Sequence, residues 1–180
     1  MDVLLVIDMQ QALFRTPRFK SDAVISHINN IAAAIRLNGG RVIYIQHNGC
    51  EAEGLFPQSE GWKILAALDV QSTDIAIGKT VCDAFYDTEL FSTLARLAPE
   101  RIIVTGCATD FCVDTTIRSA VSHNLHVVVV SDGHTTADRP HLDAQSIIAH
   151  HNWMWENLIT PKAPVTLITA ADLLAELLEQ

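Results

Sequence analysis

The stretch Val104-Thr105-Gly106-Cys107-Ala108-Thr109-Asp110-Phe111-Cys112-Val113 decides how this chain folds. It joins an apolar run, residues 102–104, through a Thr-Gly turn to a segment with apolar residues at helical spacing. Cys112 should therefore lie near the first turn of a helix that follows a buried strand. Unpaired backbone N–H groups and the helix dipole favour a thiolate there. Most free cysteines are small buried core residues, however, so this stretch alone leaves both interpretations of Cys112 open.

Short apolar runs alternate with helical patterns along the whole chain. Most runs are continuous, which is typical of strands covered on both faces. The alternation predicts an α/β fold with a mostly parallel sheet and helices on both sides. We expect one domain over residues 1–180, a three-layer α/β/α fold with a six-stranded sheet. The predicted strands are 3–7, 41–46, 73–77, 101–104, 126–130 and 165–168, and the predicted helices are 23–37, 88–97, 111–123, 142–151 and 170–178.

Composition excludes several classes of partner. Of the 180 residues, 49% are hydrophobic and 18% charged, and the net charge is −9, so a well-packed globular protein without affinity for nucleic acid or membrane surfaces is expected. The N-terminus enters a strand with no positive leader, which predicts no signal peptide. The four cysteines, Cys50, Cys82, Cys107 and Cys112, form no C-x-x-C pair or zinc spacing. Free thiols and a cytoplasmic location are therefore expected.

Three chemically active side chains follow predicted strands. Ligands of open parallel sheets bind at the carboxyl ends of the strands, and Asp8, Lys79 and Cys112 should meet there. Alone, Asp8 could be a helix cap and Lys79 a solvated surface residue. Together they could supply a proton acceptor and a cation for the thiol. We expect the lysine and the helix N-terminus to raise the thiolate fraction, and amides of the 106–112 turn could form an oxyanion hole.

Three motifs carry a resemblance to a known family. Ile7-Asp8-Met9-Gln10, then Lys79 followed by Asp83-Ala84-Phe85, and then residues 106–113 resemble the isochorismatase-like cysteine hydrolases. The resemblance implies that Asp8, Lys79 and Cys112 form a catalytic triad. It also implies a cis peptide bond between Cys107 and Ala108, with the amides of Ala108 and Cys112 as oxyanion donors.

The resemblance implies an activity class but not a substrate. The retained cysteine favours acyl transfer on a small amide or related C–N bond, without a cofactor. Isochorismatase-type and nicotinamidase-type hydrolysis stay open as alternatives. Metal-binding nicotinamidases carry an Asp-x-His pattern after the second strand, whereas this chain has Gln46-His47-Asn48, so no metal is expected. A thiol redox protein using Cys107 and Cys112, or a non-catalytic small-molecule binding module, are the rivals from other classes.

Further residues are candidates for substrate contact or assembly. Pockets are mostly apolar and aromatic with a few polar groups. The expected substrate-binding residues are Phe14, His47, Trp62, Asp83, Phe85 and Thr109. His134, His141, His150 and His151 are weak candidates for a metal cluster, since the adjacent pair diverges on a helix. The aromatic run 150–155 predicts a surface for homo-oligomer formation, or else a helix end packed against the core.

Overall fold

A parallel sheet runs through the middle of the molecule and carries helices on both faces. The computed structural model describes residues 1–179. The strands are β1 (Asp2–Ile7), β2 (Arg41–His47), β3 (Ile75–Lys79), β4 (Arg101–Cys107), β5 (Val127–Thr135) and β6 (Thr166–Ile168), and the helices are α1 (Ser21–Leu37), α2 (Leu90–Leu97), α3 (Asp114–Ser122), α4 (Ala144–Glu156) and α5 (Ala170–Leu178). The strand order is β3-β2-β1-β4-β5-β6, and every neighbouring pair is parallel. The predicted α/β fold class is confirmed.

The sheet is buried on both faces because the central strands carry apolar residues at consecutive positions. In β1, Val3, Leu5 and Ile7 pack into one core, whereas Leu4 and Val6 pack into the other. The first core is closed by α2, α3 and the end of α4, and the second by α1 and α5. A strand that packs against a core on each face has a continuous apolar sequence, and this pattern made the strands predictable.

The strand order reverses between β1 and β4, which lie side by side although β2 and β3 intervene in sequence. Connections from these two strands leave the sheet toward opposite faces. The resulting crevice outside their carboxyl ends is the usual ligand site of such sheets. Asp8 directly follows β1, and the 108–113 segment directly follows β4.

Four strands, β2 to β5, extend beyond their predicted ends, and β4 and β5 extend furthest. β4 reaches Cys107 and β5 reaches Thr135, because the backbone ladder continues after the apolar residues stop. Their register shifts between Val104 and Gly106, so Gly106 pairs with His134. β3 begins two residues later than predicted and includes Lys79, which pairs with His47 of β2. These extensions carry polar residues out to the crevice.

Gly106 is where β4 passes closest to β1. Its φ of +121° lies in a region that side chains rarely adopt, and a Cβ built there would lie 2.6 Å from the backbone nitrogen of Ile7. One residue further on, the peptide bond between Cys107 and Ala108 is cis, as the family resemblance implied. Glycine therefore lets the chain turn from β4 directly over the end of β1.

No helix within residues 1–179 is long and apolar enough to cross a membrane.

Candidate active site

Three different strands bring Asp8, Lys79 and Cys112 together. Asp8 follows β1 in the left-handed region, with φ of +49°, and its backbone N–H donates to Ile45 of β2 at 2.9 Å. Lys79 is the last residue of β3. Cys112 lies in a wide helical turn, residues 109–113, that precedes α3. The expected meeting of these side chains at one edge of the sheet is thus present in the structure.

The lysine ammonium contacts both other members of the group. Lys79 Nζ lies 2.7 Å from Asp8 Oδ2 and donates to Cys112 Sγ at 3.2 Å. A third bond goes to the carbonyl of Val81 at 3.0 Å. The side chains of Asp8 and Lys79 are 1% and 0% exposed, so this ion pair is shielded from solvent. Within the described residues, Asp8 Oδ1 has no hydrogen-bond partner, and the Cys112 thiol lies near enough to the carboxylate to lower its pKa.

Burial sets the protonation of the group. It raises the pKa of Asp8, while the Lys79 charge opposes that change. It also raises the pKa of the Cys112 thiol, and the Asp8 charge adds to this effect. Burial alone would lower the pKa of Lys79, but attraction to Asp8 and Cys112 outweighs it and the net direction is upward. One cation therefore stabilises one anionic charge shared between carboxylate and thiol.

The expectation of an enriched resting thiolate is wrong in direction. Sequence reasoning counted the lysine and the helix N-terminus but could not weigh desolvation or the Asp8 charge, which together raise the thiol pKa. The resting Cys112 thiol is thus harder to ionise than a free cysteine. Such a thiol needs a base at the moment of attack, and Asp8 is the base within reach.

The turn that carries Cys112 is unusually wide. Val113 N–H donates to the carbonyl of Ala108 at 3.2 Å, a bond that spans five residues. Wide turns of this kind occur frequently at functional sites. Ala108 precedes the turn in extended conformation, with φ of −97°, and both Ala108 and Cys112 line a cavity at the carboxyl ends of the strands.

This cavity has a volume of about 290 Å³. Asp8, His47 and Cys112 are among the residues that line it. Burial and the charge of Lys79 lower the pKa of His47, whose Nδ1 has no hydrogen-bond partner within residues 1–179. A cavity at the small end of the ligand-site range fits a compact molecule.

Of the six expected substrate-binding residues, only His47 lines the cavity. Phe14 packs against the core that α1 and α5 close, and its neighbour Leu13 lines the cavity instead. Trp62 donates from Nε1 to Asn48 at 2.8 Å and so holds the 48–62 loop. Sequence cannot tell which of two adjacent apolar side chains faces a pocket, because that depends on the loop backbone.

The other three expected residues have structural partners. Asp83 accepts from the Phe85 N–H at 2.8 Å and closes a turn, while the Phe85 ring is buried beside His123. Thr109 is fully buried and bonds to His134 Nδ1 at 2.9 Å. These contacts give Asp83, Phe85 and Thr109 positions outside the cavity lining, where they support the turns around Lys79 and Cys112.

Sequence reasoning missed charged residues that do line the cavity. Arg18, Glu53 and Arg139 all contribute to its wall. Each lies in an irregular segment, so its direction could not be inferred from periodicity. The only available signal for Arg139 was its place in the irregular 132–141 stretch after β5, and Arg18 gave none.

The two thiols of the redox alternative pack against different cores, although both residues line the cavity. Cys107 is 1% exposed in the core closed by α1 and α5, where burial raises its pKa to about 12. Cys112 packs against the other core. This arrangement gives no support to a Cys107–Cys112 redox pair.

The histidines do not gather around a common point. His134 is buried, bonded to Thr109 and Asn152, and burial lowers its pKa to about 4. His151 bonds to the carbonyl of Ile147 at 2.8 Å. Across residues 1–179 no three His, Cys, Asp or Glu side chains are placed to hold a metal ion.

The aromatic run 150–155 divides between core and surface. Trp155 is fully buried and donates to Asp114 at 2.8 Å, whereas Trp153 is 63% exposed. Packing against the core is therefore confirmed for Trp155, and Trp153 is the exposed aromatic residue of the run. Homo-oligomer formation stays a prediction.

Comparison with known proteins identifies the family of this chain. The family model of the isochorismatase domain matches residues 2–163. The chain belongs to the isochorismatase family. A crystal structure of an isochorismatase family protein, 32% identical, covers 93% of this chain and 98% of its own, with a TM-score of 0.85. A cysteine hydrolase from Pseudomonas syringae pv. phaseolicola shares the fold, with a TM-score of 0.85 at 21% identity over 99% of this chain and 92% of that one.

Two relatives carry names that state a reaction. Streptothricin hydrolase from Streptomyces noursei is 28% identical over 139 residues, which are 76% of this chain and 50% of the relative. Ureidoacrylate amidohydrolase from Variovorax paradoxus is 26% identical over 168 residues, 72% of this chain and 66% of the relative. This chain therefore spans about half of the first relative and about two thirds of the second.

Proposed function

We propose that this isochorismatase-family chain is a cysteine hydrolase that cleaves a small amide or related C–N bond through a thioester at Cys112. The observation that carries the proposal is the buried contact of Lys79 with both Asp8 and Cys112, at 2.7 and 3.2 Å. The name of streptothricin hydrolase supports hydrolysis, and the name of ureidoacrylate amidohydrolase supports an amide-type C–N bond.

Acylation follows from the shared charge. Asp8 takes the proton of Cys112 as the sulfur attacks the carbonyl carbon, and Lys79 keeps one anion at this site compensated throughout. The amides of Ala108 and Cys112, which line the cavity, are the proposed oxyanion donors. Asp8 then gives its proton to the leaving amine, and an acyl thioester remains on Cys112.

Deacylation uses the same carboxylate in reverse. Asp8 takes a proton from water, the hydroxide adds to the thioester carbonyl, and the sulfur leaves as the thiol when Asp8 returns the proton. The products are a carboxylic acid and an amine or ammonia. No step needs an external cofactor. The raised pKa of Asp8 suits this dual role, because a carboxyl with a pKa nearer neutrality both accepts and returns a proton readily.

The proposed setting is the cytoplasm. All four cysteines are unpaired in the structure, and a reducing compartment would keep the Cys112 thiol active.

The test is a screen of small amides and ureides for ammonia or amine release. We expect Cys112→Ala to abolish release of every substrate found while leaving the circular dichroism spectrum unchanged. Cys50→Ala, which removes an exposed thiol outside the cavity, serves as the matched control and should keep full activity. Near-full hydrolysis by Cys112→Ala would overturn the covalent mechanism.

A further inference from the structure

Two arginines line the cavity that holds Cys112. One of them is paired with a carboxylate, and the other is not. Arg139 donates from Nε and Nη2 to both oxygens of Asp110, at 2.8 and 2.9 Å. Burial opposes ionisation of Asp110, but the bonds from Arg139 and Thr136 prevail and its pKa is lowered. A two-point Arg–carboxylate pair neutralises both partners. Arg139 therefore brings little net charge to the cavity.

Arg18 has no such partner. Its Nε donates to the carbonyl of Leu13 at 2.7 Å, and within residues 1–179 no carboxylate oxygen lies within ion-pair distance of its guanidinium. The bond holds the guanidinium beside Leu13, which also lines the cavity. The terminal Nη1 and Nη2 groups make no side-chain or backbone hydrogen bond in the described part of the chain. Arg18 is half-buried, so its charge is only partly screened.

The remaining charges of the lining do not cancel Arg18. Asp8 is compensated by Lys79 at 2.7 Å. Glu53 is exposed, and one of its oxygens accepts the N–H of Cys50 at 2.8 Å to close a turn in the 48–61 loop. Solvent screens a carboxylate in that position. Arg18 is thus the one half-buried, uncompensated charge of this wall among the described residues.

We propose that Arg18 binds an anionic group of the substrate, so that the substrate is a small amide or ureide that also carries a carboxylate. The proposal rests on the proposed function, since it places the scissile carbonyl at Cys112. The two free terminal nitrogens of this guanidinium present a pair of N–H groups that matches a planar carboxylate. Because the whole cavity measures about 290 Å³, the anion and the scissile bond must lie only a few bonds apart.

The test uses two thiol reagents that differ in one charge. Iodoacetate carries the carboxylate, and iodoacetamide is its neutral isostere. Rates of modification at Cys112 are measured by peptide mass spectrometry, and the ratio of the iodoacetate rate to the iodoacetamide rate is compared among variants. We expect Arg18→Gln to lower this ratio on the order of tenfold, because a charge-assisted bond to the carboxylate is lost. Arg18→Lys should restore part of it.

The control removes the same charge two residues away. Lys20 is exposed and does not line this cavity, so Lys20→Gln should leave the ratio within about twofold of the wild type, a change expected from screened long-range charge alone. An unchanged iodoacetamide rate in Arg18→Gln shows that the site remains intact. An unchanged ratio with a reactive thiol would overturn the role of Arg18 alone. Near-full amide hydrolysis by Cys112→Ala would overturn the proposed function, and this inference with it.

Discussion

Asp8, Lys79 and Cys112 are coupled titratable groups, because each one changes the pKa of the other two. Lys79 lies between the other two side chains, at 2.7 Å from the carboxylate and 3.2 Å from the sulfur. The negative charge of Asp8 raises the thiol pKa, and the positive charge of Lys79 lowers it. Because each charge acts on the thiol with a known sign, changing either one should move its titration in a defined direction.

Asp8→Asn and Lys79→Met should move the reactivity of Cys112 in opposite directions. Loss of the Asp8 charge lowers the thiol pKa, so the pH profile of iodoacetamide modification should shift to lower pH by about one unit or more. Loss of the Lys79 charge raises the pKa and should shift the profile upward. Hydrolysis should be lost in both variants, since Asp8→Asn lacks the base and acid. A shift in the same direction for both would contradict the shared-charge description.

At the scale of elements, the site depends on how tightly the ends of β1, β4 and β5 are joined. Gly106 lets β4 lie over Ile7, and His134 at the end of β5 links the turn before α3 to Asn152 of α4. The 108–113 segment holds Cys112 between these two points. Disturbing either of them should therefore affect stability as well as the site.

Gly106→Ala should destabilise the protein severely. The new Cβ would lie 2.6 Å from the Ile7 nitrogen, and alanine disfavours a φ of +121°. We expect a loss of more than about 2 kcal/mol in the free energy of unfolding, measured by urea denaturation. Gly39→Ala is the matched control: Gly39 also has a positive φ, of +73°, but a Cβ there meets no atom within 4 Å. An equal loss in both variants would show that backbone conformation, and not the contact with β1, limits position 106.

His134 should make the fold sensitive to acid. Burial lowers its pKa from 6.5 to about 4, so the folded state binds the proton at a lower pH than the unfolded state does. Its stabilising contribution is present above the unfolded pKa and is lost as the pH falls toward about 4. The expected loss is on the order of 3 kcal/mol. In His134→Gln the decline in unfolding free energy over this interval should be smaller, and an identical decline would rule out His134 as its source.

At the scale of the whole molecule, the parts that could be predicted are those fixed by periodic burial. Continuous apolar runs identified the strands, and the order of elements then placed Asp8 and Lys79 at one edge with Cys112. Strand ends were predicted less well, because β4 and β5 continue as backbone ladders through polar residues such as Thr105 and His134. The family motifs supplied the cis bond after Cys107, which no periodic pattern encodes.

The cavity wall could not be predicted for a physical reason. Arg18, Leu13 and Glu53 lie in segments without regular periodicity, where side-chain direction is set by individual turns. The thiol pKa was also predicted in the wrong direction, because desolvation depends on burial that only the folded structure shows. Sequence thus identified the reacting groups, whereas the structure identified what surrounds them.

The central claim is that Cys112 forms a covalent acyl intermediate during hydrolysis of a small amide. Its most direct test is rapid acid quenching during turnover, followed by intact-protein and peptide mass spectrometry. The account predicts one acyl group per chain, attached to the peptide that contains Cys112 and absent from Cys112→Ala. Turnover by the Cys112→Ala variant, which can form no adduct at position 112, would contradict it. An acyl group on Cys50, Cys82 or Cys107 instead would also contradict it.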